Sequence, residues 1–69
     1  MRIKIIDNTY LGKTDGVKVT ATSYVFMGKA SGYLVLGKDL IDADVDTAES
    51  LDPDFEYYLN NQQVKVIQP

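Results

Sequence analysis

The thirteen residues Tyr24-Val25-Phe26-Met27-Gly28-Lys29-Ala30-Ser31-Gly32-Tyr33-Leu34-Val35-Leu36 govern the architecture of this chain. Two runs rich in β-branched and aromatic side chains flank a connection with glycine at both ends, Gly28 and Gly32, which predicts a β-hairpin. With Met27 placed opposite Tyr33, Phe26 faces Leu34, Val25 faces Val35 and Tyr24 faces Leu36. One side of the ribbon then carries Val25, Met27, Tyr33 and Val35, and the other carries Tyr24, Phe26, Leu34 and Leu36. A half-exposed antiparallel strand should alternate apolar and polar residues. Here both sides are apolar, so barrel closure, a helix or a partner molecule is expected to cover the surplus face.

Upstream, Val17 to Met27 reads as one long strand bent near Ala21–Ser23, and Arg2 to Asp7 as a strand with Arg2 and Lys4 outward and Ile3 and Ile5 inward. Asp15-Gly16 marks a turn between them, and Gly12 a bulge. Downstream, Phe55–Leu59 and Gln62–Ile67 flank Asn60-Asn61, and asparagine tolerates the positive φ of a two-residue type I′ turn. The expected hairpin pairs Leu59 with Gln62, Tyr57 with Val64, Glu56 with Lys65 and Phe55 with Val66. Residues 39–52 read both ways. Ile41, Val45 and Ala48 have helical spacing, while Ile41, Ala43 and Val45 alternate with aspartates. The favoured reading continues a strand to about Val45 and places a short helical turn at 47–51, with Asp46 and Glu49 as a capping pair. A helix over 40–51 is the alternative. Asp52-Pro53 ends any helix. The expected fold is all-β, or a β-dominated α+β, with about five antiparallel strands in a small barrel or curved sheet. It forms a single domain spanning residues 1–69.

Composition narrows the chemistry. The 69 residues contain neither cysteine nor histidine, which removes disulfides, thiol or imidazole metal sites and the Ser-His-Asp triad. Domains this small generally add disulfides, metals or oligomerisation to a limited core. The first two being closed, efficient packing or a partner chain is left, and a homodimer is expected. No apolar run approaches the length of a membrane span, and the N-terminus has no secretory-signal pattern. A cytoplasmic location without membrane attachment is the expectation.

Net charge is −3 and unevenly placed. Residues 1–38 carry six cations against two carboxylates, whereas residues 39–69 carry one cation against eight carboxylates. Gly32-Tyr33-Leu34-Val35-Leu36-Gly37-Lys38 fits the frame of a phosphate loop, but Asp39 follows where Ser or Thr must hold Mg²⁺, and the four intervening residues are strand-like. Asp42, Asp44 and Asp46 have the spacing that opens an EF-hand. Thr47 stands at its glycine position and Pro53 at its glutamate position, so no metal site is assigned. Paired carboxylates for acid–base catalysis need a concave site that 69 residues have little volume to build. An enzyme is not expected, and neither is a cofactor.

The expected function is therefore a non-enzymatic protein-interaction module. Asp42, Asp44, Asp46 and Glu49 would form an acidic edge suited to a basic protein partner, supplying orientation and on-rate. Tyr24, Phe26 and Tyr58 would supply an apolar aromatic patch and the affinity. In size and charge alone the chain resembles the small inhibitors of phages and other mobile elements, which occlude a partner's surface. The alternative is a small-barrel single-stranded nucleic-acid binder, stacking bases on some of the seven aromatics.

Overall fold

A backbone break at Ala21–Thr22 organises the molecule. In the computed structural model, which describes residues 1–6, 16–45 and 47–68, the long strand expected over 17–27 divides into β2 (Lys18–Thr20) and β3 (Ser23–Val25). Ala21 donates its N–H to the Met1 carbonyl at 2.8 Å, while Thr22 donates to the Leu34 carbonyl at 2.8 Å. Adjacent residues thus bond to different sheets. The Thr22 hydroxyl fastens the corner by donating to Glu56 Oε2 at 2.8 Å.

The first sheet has the order β2-β1-β6, with β1 (Arg2–Ile5) central and β6 (Val64–Gln68) on its far side. The second has the order β3-β4-β5, with β4 (Gly32–Leu36) central and β5 (Glu56–Asn60) beyond it. All pairings are antiparallel. The fold is β-dominated as expected, with six described strands in place of five because the bent strand splits. The strands form two three-stranded sheets and do not close into a barrel. Alternation along each strand sends one set of side chains inward. Ile3, Ile5, Val19 and Val64 from the first sheet meet Tyr33, Val35 and Leu59 from the second, with Leu40, Val45 and Ala21 completing one buried cluster.

The central hairpin forms, with a register different from the expected one. Tyr24 pairs with Tyr33, Ser23 with Leu34 and Val25 with Gly32. This is a three-residue slip from the Met27–Tyr33 alignment, and an odd slip exchanges the two faces of a strand. The cause lies in the connection, where residues 28–30 form a 3-10 turn. The buried Ser31 hydroxyl accepts from Met27 N and donates to the Gly28 carbonyl, both at 2.8 Å. Phe26 and Met27 are consequently drawn out of the strand into the connection. Gly32 pairs with Asn60 and is required there, because a Cβ would run into the Leu59 carbonyl and the Tyr58 ring.

The expected C-terminal hairpin does not form. β5 pairs with β4 and β6 pairs with β1, so the chain crosses between sheets at Asn60–Gln63. Asn60 has an extended backbone (φ −66°, ψ 150°) rather than the positive φ of a type I′ turn. It caps a 3-10 turn over Asn61–Gln63. Its side chain accepts from Gln62 N at 2.8 Å, and Gln63 Oε1 accepts from Asn60 N at 2.9 Å. The same asparagine chemistry thus serves a reciprocal cap instead of a reversal.

The strand expected to continue through residues 39–45 is also replaced. Helix α1 (Gly37–Asp42) starts directly from β4 and buries Leu40. Its first N–H groups are satisfied by main chain: Gly37 N donates to the Phe55 carbonyl at 2.7 Å and Lys38 N to the Pro53 carbonyl at 3.1 Å. A Cβ on Gly37 would collide with the Asp52 backbone. The short helical turn expected near 47–51 is present as a 3-10 turn, Ala48–Ser50. Gly16 adopts φ +84° and donates to the Ile5 carbonyl at 2.8 Å, as the turn reading requires, while Gly12 and Asp15 lie outside the described residues.

Candidate functional site

The aromatic residues singled out from sequence collect at the end of the second sheet where β3 leaves and β4 begins. Tyr24 sits on edge strand β3, with its ring 4.9 Å from Tyr33 at 55°. Its hydroxyl accepts from Asn61 Nδ2 at 3.2 Å. That hydrogen bond, with a lesser one from Ser31, holds the Tyr24 phenol below the ordinary tyrosine pKa by favouring the phenolate. Tyr58 stands on the outer side of β5 opposite Leu34, and its hydroxyl donates to the Ala30 carbonyl. Asn60 Nδ2 lies 3.4 Å from the same hydroxyl. Phe26 follows β3 with 81% of its surface exposed, and Met27, which the sequence reading had assigned to a strand face, follows at 63%. Because Asn61 N also donates to the Ser31 carbonyl at 3.1 Å, the Phe26–Ser31 connection and the Asn61–Gln63 turn are tied into one frame around this apolar end.

The acidic residues lie elsewhere. Asp42 ends α1, Asp44 follows it in a turn at φ +61°, and Glu49 occupies the Ala48–Ser50 turn; all three are exposed. Asp46 lies outside the described residues. β4 runs from the aromatic end at Gly32 to the start of α1 after Leu36, a five-residue strand of about 15 Å at 3.3 Å per residue. Register puts Tyr24 in the inner row with Tyr33 and Leu59 and Tyr58 in the outer row with Leu34, so the two tyrosines reach the Ala30–Gly32 end from opposite faces of the sheet, with Phe26 in the connection that follows β3. Asp42 instead lines a cleft with Arg2 and Lys18. Among the described residues, no group of three or more His, Cys, Asp or Glu side chains is placed to hold a metal ion. No described helix is long and apolar enough to cross a membrane.

A second charged feature escaped the sequence reading. On the outer side of the first sheet Lys4 is directly opposite Lys18 on one neighbour and Lys65 on the other. Three ammonium groups thus stand in one row across three strands. Arg2 lies beside them and donates to Thr20 Oγ1 at 3.1 Å. Each residue's outward orientation is readable from alternation, but the row exists only because β6 pairs with β1.

No protein-family model, no curated protein and no solved structure matches this chain. The class defined by fold and site is a small two-sheet β protein with a solvent-exposed apolar end and a separate cationic sheet face.

Proposed function

We propose that this protein is a non-enzymatic interaction module that docks a partner protein on the exposed Phe26–Met27 connection, with Tyr24 and Tyr58 flanking it from the two faces of the second sheet. The observation that carries this reading is the exposure of Phe26 and Met27. These are two adjacent large apolar side chains, on a connection tied down by Ser31 and Asn61. An aromatic anchor on a preorganised frame loses little side-chain entropy on binding, and such anchors dominate interface energetics. The exposed carboxylates of Asp42, Asp44 and Glu49 support a basic partner through steering at long range, acting on association rate rather than contact affinity. Occlusion of the partner's surface is the mode of action that this small, rigid unit suits.

The test is quantitative affinity capture, comparing the wild type with Phe26→Ala/Met27→Ala and with Glu49→Gln. A specific partner should be depleted at least tenfold by the double variant and retained by Glu49→Gln, with slower association when salt rises. Light scattering on the isolated chain decides whether a second copy occupies the apolar end. A monomer whose capture profile is unchanged by the double variant refutes the assignment.

A further inference from the structure

The row Lys18–Lys4–Lys65 sets like charges directly opposite one another twice. Such pairs destabilise a sheet, and an acidic chain of net charge −3 has no general need to collect cations on one face. Among the described residues no carboxylate forms an ion pair with any of the three. They border an open groove of about 380 Å³ completed by Val66 and Ile67. On the β2 side, Asp39 and Asp42 of α1 line a cleft with Arg2 and Lys18, which bounds the positive face there and leaves it open toward β6.

We infer that this face binds the phosphate backbone of double-stranded nucleic acid, independently of sequence. Charge complementarity identifies a polyanion. Strands about 4.8 Å apart hold the three cations in a fixed row roughly 10 Å across, suited to a rigid array of phosphates. Among the described residues no aromatic side chain lines this groove, which favours the duplex over a single strand. Single-strand binders interleave cations with aromatic platforms, whereas the described residues that line the groove around the row are lysine, valine and isoleucine. Tyr24, Phe26 and Tyr58 belong to the second sheet or its loops. The inference is separate from the apolar docking end and survives or fails without it.

Three phosphates neutralised give a slope of log K against log salt of about −2.7, an affinity loss of about 500-fold over a tenfold salt rise. Removing one lysine should flatten the slope by about one unit, reducing that loss to about 60-fold. The experiment is fluorescence anisotropy with a labelled 20-base-pair duplex between about 20 and 200 mM NaCl, using wild type, Lys4→Gln, Lys65→Gln and Phe26→Ala. The expected result is the full slope for wild type and Phe26→Ala and the flattened slope for each lysine variant, with circular dichroism reporting an unchanged fold. Four results overturn the inference: no duplex binding at the lowest salt, a slope indifferent to the lysine variants, tighter binding to a single strand of the same length, or tighter lysine-dependent binding to polyglutamate or to phosphatidylserine vesicles.

Discussion

Replacing Lys4 should make the protein more stable, and the gain should shrink as salt is added. Lys4 is half-buried at the centre of the row, with Lys18 and Lys65 across from it on either side. Directly opposed residues have Cβ atoms about 5 Å apart, and splaying takes the ammonium groups to about 7 Å. Two unit charges at that distance repel by about 0.6 kcal/mol in water. Screening reduces this to about 0.25 kcal/mol at 0.15 M salt and about 0.5 kcal/mol at 0.01 M. Two such pairs vanish in Lys4→Gln, so the expected gain is about 0.5 kcal/mol at 0.15 M and about 1 kcal/mol at 0.01 M. Lys4→Glu turns two repulsions into attractions and should double both figures. Urea unfolding is the assay. With a slope near 1 kcal/mol per molar for so small a domain, the midpoint of Lys4→Gln should rise by about 0.5 M at physiological ionic strength. Glutamine keeps much of the lysine stem, so packing changes little and the salt-dependent part isolates the charge. Loss of stability at both salt concentrations, or a gain that salt does not alter, would refute the reasoning and with it the claim that the lysines are held opposite one another.

The remaining expectations concern the fold's joints. Gly37→Ala should destabilise by about 3 kcal/mol or more, since its Cβ meets the Asp52 backbone and no flexible side chain can yield; thermal denaturation measures it. Asn60→Ala removes the acceptor of the reciprocal cap and should cost about 1 kcal/mol in the same thermal denaturation, whereas Asn60→Gly should cost only a few tenths of a kcal/mol. Because Tyr24 ionises below the ordinary tyrosine value of about 10 in the folded state, the unfolded chain holds that proton to higher pH. Stability linked to this group therefore increases between the folded and the unfolded pKa and is lost as pH falls back through the folded value. Absorbance titration at 295 nm should find an early-ionising phenol that disappears in Tyr24→Phe and moves up in Asn61→Ala.

Strand identity was legible where alternation is strict. Arg2-Ile3-Lys4-Ile5 points its isoleucines inward as read, Lys18–Thr20 falls inside the stretch read as a strand, and the bend near Ala21–Ser23 lies where the chain changes sheets. The pairing of β3 with β4 was legible but that of the last two strands was not, because any two amphipathic strands of similar length produce plausible cross-strand pairs. Glu56 opposite Lys65 looked favourable, yet Glu56 instead accepts from Thr22, thirty-four positions earlier in the chain, and Lys65 faces another lysine. A local pattern cannot register that β1, with Ile3 and Ile5 fully buried, needs a second neighbour. Helix α1 was missed for a related reason: its first N–H groups bond to carbonyls at 53 and 55, so no capping side chain announces it. At the aromatic end, Tyr24, Phe26 and Tyr58 were readable as candidates. Met27 was not, because its exposure depends on a slipped register that Ser31 enforces from inside the turn.

The central position of β1 has a consequence for biosynthesis. Its near neighbour β2 is made early, but the other side of Ile3 and Ile5 stays unprotected until Val64 and Val66 have left the ribosome. Until then β1 is paired along one edge only, a greasy, half-paired ribbon of the kind that recruits chaperones or seeds aggregates. Trimming the last few residues should therefore cripple maturation far more than the loss of one edge strand would suggest.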